Sequence, residues 1–148
     1  ACGCLYVCGG VGDFGRTATR LNPARGKWKQ VPSMSNVRAF AAAAVLDRSL
    51  YILGGRDGDN VWGSIERLDM RGGPTSSGRW ESVPPMSAPR YGFAAAVLNE
   101  RIFAVGGADR VGKRERLVDL ATEVLGAAGE RQQRAGMTSP RMLHAAAA

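Results

Sequence analysis

Histidine is nearly missing from this chain: His144 is the only one among 148 residues. Lysine is almost as scarce, 3 residues against 17 arginines. Cysteine occurs only at Cys2, Cys4 and Cys8. The longest apolar run, Ala39 to Leu46, has eight residues, whereas a helix crossing a bilayer needs about 20. Each shortage excludes something. A lone histidine standing among alanines offers no base for a nucleophile, and no serine or cysteine lies in a recognisable nucleophile motif. The carboxylates are scattered, with no pair spaced for general acid–base work. Cys-x-Cys-x3-Cys has poor geometry for a disulfide between near neighbours and is one ligand short of a structural zinc site. Three small reduced core residues are the simpler reading, and they suit a reducing, cytoplasmic compartment. No catalytic residue, cofactor site, metal site or membrane contact is therefore expected. No charged-then-apolar start reads as a signal peptide, although a segment ahead of Ala1 stays open.

What the chain has in quantity is one repeated phrase. Pro32-Ser-Met-Ser-Asn-Val-Arg38 leads into Phe40–Leu46 and then Leu50-Tyr-Ile-Leu-Gly-Gly55. It returns as Pro85-Met-Ser-Ala-Pro-Arg90, Phe93–Leu98 and Ile102-Phe-Ala-Val-Gly-Gly107. It begins again at Met137-Thr-Ser-Pro-Arg141, and the chain opens inside another copy at Leu5-Tyr-Val-Cys-Gly-Gly10. Met34 to Met86 is 52 residues and Met86 to Met137 is 51. A period of roughly 50 built from short strands marks a propeller array.

One copy resolves into four strands. Ala41–Leu46 and Leu50–Gly54 are short and apolar, joined by the polar Asp47-Arg48-Ser49 as a hairpin requires. Ser64–Met70 reads as a half-exposed third strand. Arg79–Pro84 alternates and ends at proline, as an outer strand does. Four antiparallel strands make one blade. The alanine-rich inner strand fits a crowded channel, and the double glycine lets backbone approach where a Cβ would clash. Trp28 and Trp80, each six residues before its methionine, are expected to fill the space between blades.

The double glycine, the downstream tryptophan and Met-x-x-x-Arg together resemble the kelch repeat, as does the turn Leu21-Asn-Pro-Ala-Arg-Gly-Lys-Trp28. The resemblance covers the whole chain and implies an all-β fold of kelch-type propeller blades, about three of them. There are departures. Leu21, Leu68 and Val118 replace the usual third-strand tyrosine, and Arg131 stands where a tryptophan is expected. Glu115–Gly126 fits a helix as well as a strand. The blades are placed at about 1–35 (lacking its inner strand), 38–86 and 90–137, with a leftover inner strand at 141–148. Three blades leave an open arc, because only closure removes sheet edges. Either the chain is part of a longer propeller, or two copies join head to tail into a six-bladed homodimeric ring.

Strand alternation puts the loops between second and third strands on the same face as the loops between blades. That face carries the candidate partner contacts: Trp62, Arg56, Arg38, Arg90, Tyr91, Arg110, Arg141 and Phe14. Arginine and tryptophan are enriched in binding hot spots. The recurring Arg38, Arg90 and Arg141 have an equally open structural role, bonding loop carbonyls, and Trp62 has the alternative of packing on an adjacent loop. Gly10-Val-Gly-Asp-Phe-Gly15 matches a dinucleotide-loop pattern, but Pro23 leaves no room for the helix that pattern needs, so it reads as a turn.

The resemblance implies a protein-interaction module that docks a partner segment on one face, here an acidic one because net charge is +7,. A substrate-receiving role in a ubiquitin-ligase adaptor is one form of this. The alternative is a fragment of a kelch-type enzyme, such as an oxidase, a sugar-acid isomerase or a phosphatase-linked propeller. Nucleic acid is disfavoured as a partner, since no five like charges run together.

Overall fold

The computed structural model describes residues 3–71, 78–111, 122–126 and 131–134. They form thirteen strands and one 3-10 turn, with no α-helix among the described residues. The first sheet has the order β1 (Leu5–Cys8), β2 (Ala18–Asn22), β3 (Lys27–Val31). The second runs β4 (Ala42–Leu46), β5 (Ser49–Leu53), β8 (Ile65–Asp69), β9 (Trp80–Val83). Between β5 and β8 a small ribbon is inserted, β6 (Arg56–Asp57) with β7 (Asn60–Val61). The third sheet runs β10 (Ala94–Leu98), β11 (Arg101–Val105), β12 (Thr122–Gly126), β13 (Arg131–Arg134). Within each of these three sheets neighbours are antiparallel and follow chain order. These are propeller blades of three, four and four strands in an incomplete ring. Of the ambiguous stretch Glu115–Gly126, 122–126 is strand and the remainder lies outside the described residues, as do His144 and the leftover strand at 141–148. Gly10–Gly15 is a turn containing one 3-10 stretch, Gly12–Phe14, before β2.

The hydrophobic core lies between blades, which explains the residue sizes. Leu50, Ile52, Leu68 and Trp80 of the second blade pack back on Ala18 and Met34, with Tyr6, Cys8 and Val31 alongside. Ile102, Ala104 and Phe93 of the third pack back on Ala42, Ala44, Tyr51, Leu53 and Ile65. The small alanines of β4 let the blades converge, while the aromatic and branched residues fill the wider outer gap. Trp80 is buried there, and its indole N–H donates to the Pro32 carbonyl at 2.7 Å. The expectation for Trp28 needs correcting, since it is 54% exposed. Trp28 holds the position that Trp80 holds, as Leu5 and Val7 hold those of Leu50 and Ile52. No described blade covers that side of the first sheet, so all three stay exposed.

The inner hairpins turn on two residues each. Asp47 and Arg48 have φ of 46° and 54°, and Asn99 and Glu100 have 49° and 57°. Paired left-handed residues match the twist of the flanking strands, and the second position favours glycine. Glu100→Gly is therefore expected to raise stability by about 0.5–1 kcal/mol, after allowing for glycine's greater freedom in the unfolded chain; a urea midpoint at or below wild type would contradict this.

Cys8 sits against the first inter-blade cluster, and burial pushes its thiol up to about 11, from an ordinary 9.0. A raised thiol pKa keeps the neutral form, so this contribution to stability is intact below pH 9 and is lost as pH rises towards 11,. At pH 8 the folded protein is expected to present roughly a hundredth of the thiolate of an unperturbed cysteine at this position. Peptide-resolved alkylation by iodoacetamide, native against urea-unfolded, measures this directly.

Candidate interaction face on the blade loops

The loop between blades and the loop after the next double glycine are stitched together by backbone. Ala39 and Arg56 exchange hydrogen bonds at 2.9 and 2.8 Å, and Tyr91 and Ala108 do so at 3.0 Å each. Strand alternation thus brings both kinds of loop to one face, and reciprocal backbone bonds hold them in register.

The structure divides the sequence candidates. Arg38 is fully enclosed. Its Nε donates to Glu66 Oε1 at 3.1 Å, its Nη1 to the carbonyls of Gly54 and Ser64 at 2.6 and 3.0 Å, and its Nη2 to Ser64 Oγ at 2.7 Å. Glu66 in turn accepts the backbone N–H groups of Ser35 and Asn36 at 2.7 and 3.3 Å. Burial lowers the arginine's pKa, and the Glu66 charge opposes that shift. Arg90 repeats the theme: it is buried, with Nη1 donating to the Gly106 carbonyl at 3.1 Å. Tyr91 is buried as well, its hydroxyl donating to the Arg110 carbonyl at 3.3 Å. Arg38, Arg90 and Tyr91 therefore bind the fold and cannot reach a partner, which corrects their candidacy. Arg141 lies outside the described residues.

Trp62 is half-buried. Its indole N–H donates to the Val37 carbonyl at 2.9 Å, which ties the ribbon formed by β6 and β7 to the preceding inter-blade loop. Phe14 is 69% exposed on its 3-10 turn. Arg56 and Arg110 remain on the face.

Sequence reasoning missed Phe40. Its φ is +55°, a left-handed backbone, and it stands two residues after Arg38 as Gly92, with φ +61°, stands two after Arg90. For a bulky residue this conformation costs about 1–2 kcal/mol. Its ring is nonetheless 43% exposed. The Arg56 guanidinium meets two aromatic rings on one side, with Cζ 5.1 Å from the Phe40 centroid and 5.5 Å from that of Tyr91. The two rings meet edge-to-face at 6.4 Å. Arg56 Nη1 donates to the Gly58 carbonyl at 2.9 Å, while its enclosed Nε has no acceptor. Beside this cluster opens a shallow pocket of about 250 Å³, whose lining includes Gly10, Val11, Gly12, Phe40, Arg56 and Asp57. Aligning the repeats on the arginine, which sets Phe40 against a glycine, is the signal that would have found it.

A family model described as the Kelch motif matches residues 1–35 and 38–87, more than half of the chain. The chain belongs to the kelch-repeat family. Human Kelch-like protein 33 is 30% identical over 114 residues, which is 74% of this chain and 20% of that protein. Human Kelch-like protein 15 is 33% identical over 88 residues, 60% of this chain and 14% of its own length. Kelch repeat protein C2 of vaccinia virus is 29% identical over 106 residues, 70% of this chain and 20% of its own. The chain thus spans a fifth or less of these relatives. A solved structure titled "Structure of YjhT" superposes with a TM-score of 0.73 over 89% of this chain and 42% of that one; at 15% identity it shows the fold alone. The third kelch blade lies beyond the residues matched by the family model, and β10 to β13 show it in the structure. Among the described residues no helix is long and apolar enough to cross a membrane.

Proposed function

We propose that this kelch chain is a protein-interaction module whose loop face docks a segment of a partner protein. The observation that supports this most is the company of Val11, Phe14 and Phe40, exposed by 74, 69 and 43%, with Arg56 on loops that backbone bonds hold rigid. Large apolar side chains kept in water beside arginine are the composition of a binding surface. The partner segment is acidic in this reading, because the chain carries net charge +7. Substrate reception in a ubiquitin-ligase adaptor is the cellular form proposed, in the cytoplasm, where Cys4 and Cys8 would stay reduced,.

The test is a comparison of wild type with a variant carrying Phe14→Ser, Arg56→Gln and Arg110→Gln together. Photo-crosslinking from position 61 with quantitative mass spectrometry is expected to give partners that vanish in the variant while its melting temperature holds. Identical partner sets for both proteins would end this reading.

The uncovered side of the first blade extends the proposal. Leu5, Val7 and Trp28 are exposed by 55, 50 and 54%, at positions that the second blade buries. A second copy joined head to tail would cover them. Sedimentation velocity on the chain should then show a dimer, and a monomer at tens of micromolar would remove the homodimer from the proposal.

A further inference from the structure

The geometry points to a second binding site, in the first blade, for a compact anion that bears two or more phosphate groups. It lies at the end of the strands opposite the loop face, so it does not rest on the interaction reading above. A cavity of about 400 Å³ opens there, and its lining includes Arg20, Asn22, Arg25, Lys27 and Lys29. That volume is within the range of small-molecule sites. β1 begins at this end, β2 finishes there, and Asn22–Lys27 is the turn into β3. The turn is held by its own bonds. The Asn22 carbonyl accepts the Arg25 and Gly26 N–H groups at 3.1 and 2.9 Å, and Asn22 Oδ1 accepts the Ala24 N–H at 3.0 Å. Four cationic side chains thus line one cavity, and no carboxylate lines it with them.

Arg20 is the observation that carries the site. It is only 7% exposed, yet it makes no hydrogen bond and no ion pair among the described residues. Its guanidinium nitrogens are not sealed off as Arg56 Nε is, so part of the surface it keeps is at its charged end. The second blade shows what this position otherwise has. In the strand register Arg67 stands between Tyr51 and Glu81, as Arg20 stands between Tyr6 and Lys29. Arg67 pairs with Glu81 at 2.6 Å. In the first blade a lysine holds the place of that acid, and like charges directly opposite are destabilising. Asp69 shares a small neighbouring cavity with Arg20, but it lies beyond ion-pair distance and accepts the Arg71 N–H at 2.8 Å. A buried arginine without a counter-ion is unfavourable, and an anion entering the cavity relieves both defects. A phosphomonoester brings a charge of about −1.5 to −2 and three acceptor oxygens. Two such groups balance the four cations, whereas one carboxylate leaves most of that charge uncompensated. The planar fork of arginine suits phosphate oxygens.

Calorimetry of the full chain with inorganic tripolyphosphate in physiological salt tests this, with sulfate as the control anion. Tripolyphosphate is expected to bind at least tenfold tighter than sulfate and to raise the melting temperature. Arg20→Gln should weaken it at least tenfold while the melting temperature of the free protein holds or rises, a combination that a structural arginine would not produce. Lys29→Glu, at an exposed position, should do the same by giving Arg20 the acid that Arg67 has. Should Arg20→Gln melt lower or fail to fold, Lys29→Glu still decides the matter. Vesicles of phosphatidylcholine containing phosphatidylinositol bisphosphate separate the two sources of such phosphates. Cosedimentation that tripolyphosphate displaces and Lys29→Glu abolishes assigns the site to a lipid headgroup; binding of tripolyphosphate without cosedimentation assigns it to a free phosphate compound. Tripolyphosphate that binds no tighter than sulfate, or that binds Lys29→Glu undiminished, would overturn the assignment and leave the interaction reading untouched.

Discussion

Glu66→Ala is expected to destabilise the chain by about 3–5 kcal/mol, because removing one member of a buried ion pair leaves the other charge without compensation. Glu66 and Arg38 have side chains 1% and 0% exposed. Their pairing joins the loop that opens the second blade to that blade's third strand, β8. The carboxylate also accepts two backbone N–H groups, from Ser35 and Asn36, which would lose their acceptor. Arg38 would keep its bonds to the Gly54 and Ser64 carbonyls but would carry a buried charge with no counter-ion. The double variant Arg38→Met with Glu66→Leu should recover part of the loss, as apolar replacements of buried pairs often do. Recovery stays partial, since the Ser35 and Asn36 amides and the Gly54 carbonyl would lose these partners, while the Ser64 carbonyl keeps the Gly54 N–H,. Urea unfolding of the wild type, the Glu66→Ala variant and the double variant measures both quantities. A single-variant loss below about 1 kcal/mol, the range of exposed pairs, would show that the pair does not organise the loop.

That pair also shows what a sequence yields and what it withholds. The blades were legible because their physics is local. Alanine and glycine must line a crowded inner strand, apolar runs of five or six residues between polar turns make strands, and the phrase recurs in register. Ser64–Met70 and Arg79–Pro84 could be placed within a residue or so of β8 and β9 for this reason. Arg38 was harder. Its recurrence was compatible with docking and with structure, and its partner lies 28 residues away on the far side of a ribbon. Trp28 and Trp80 have the same local pattern, yet one is exposed and the other buried. Burial depends on which blade packs behind each, and no local window carries that. Phe40 was hidden differently. It opens an apolar run and reads as core, and only its register against Gly92 reveals the left-handed backbone.

Gly54→Ala is expected to be among the most damaging small substitutions in the chain. A Cβ at Gly54 would lie 2.4 Å from the Arg90 carbonyl oxygen and 2.9 Å from both Met86 Cε and Phe93 Cε1. The side chains could yield, but the carbonyl is fixed: it accepts the Gly55 N–H at 2.9 Å, a bond that joins the second blade to the third. The same 2.4 Å approach recurs between Gly9 and the Arg38 carbonyl, so the first glycine of these two pairs is where the next blade docks. Left-handed strain contributes about 1–2 kcal/mol and overpacking about 1–3, for a total loss of about 3 kcal/mol. Gly58→Ala separates the two causes. Its φ is +56°, nearly that of Gly54 at +58°, yet nothing lies within 4 Å of its missing Cβ. It should lose only the strain, reduced to about 1 kcal/mol by alanine's lower freedom in the unfolded chain. Chemical denaturation of the two variants side by side makes the comparison. Equal losses would mean that backbone conformation alone explains the double glycine. A larger loss at Gly54 would mean that the glycine is there to admit the neighbouring blade.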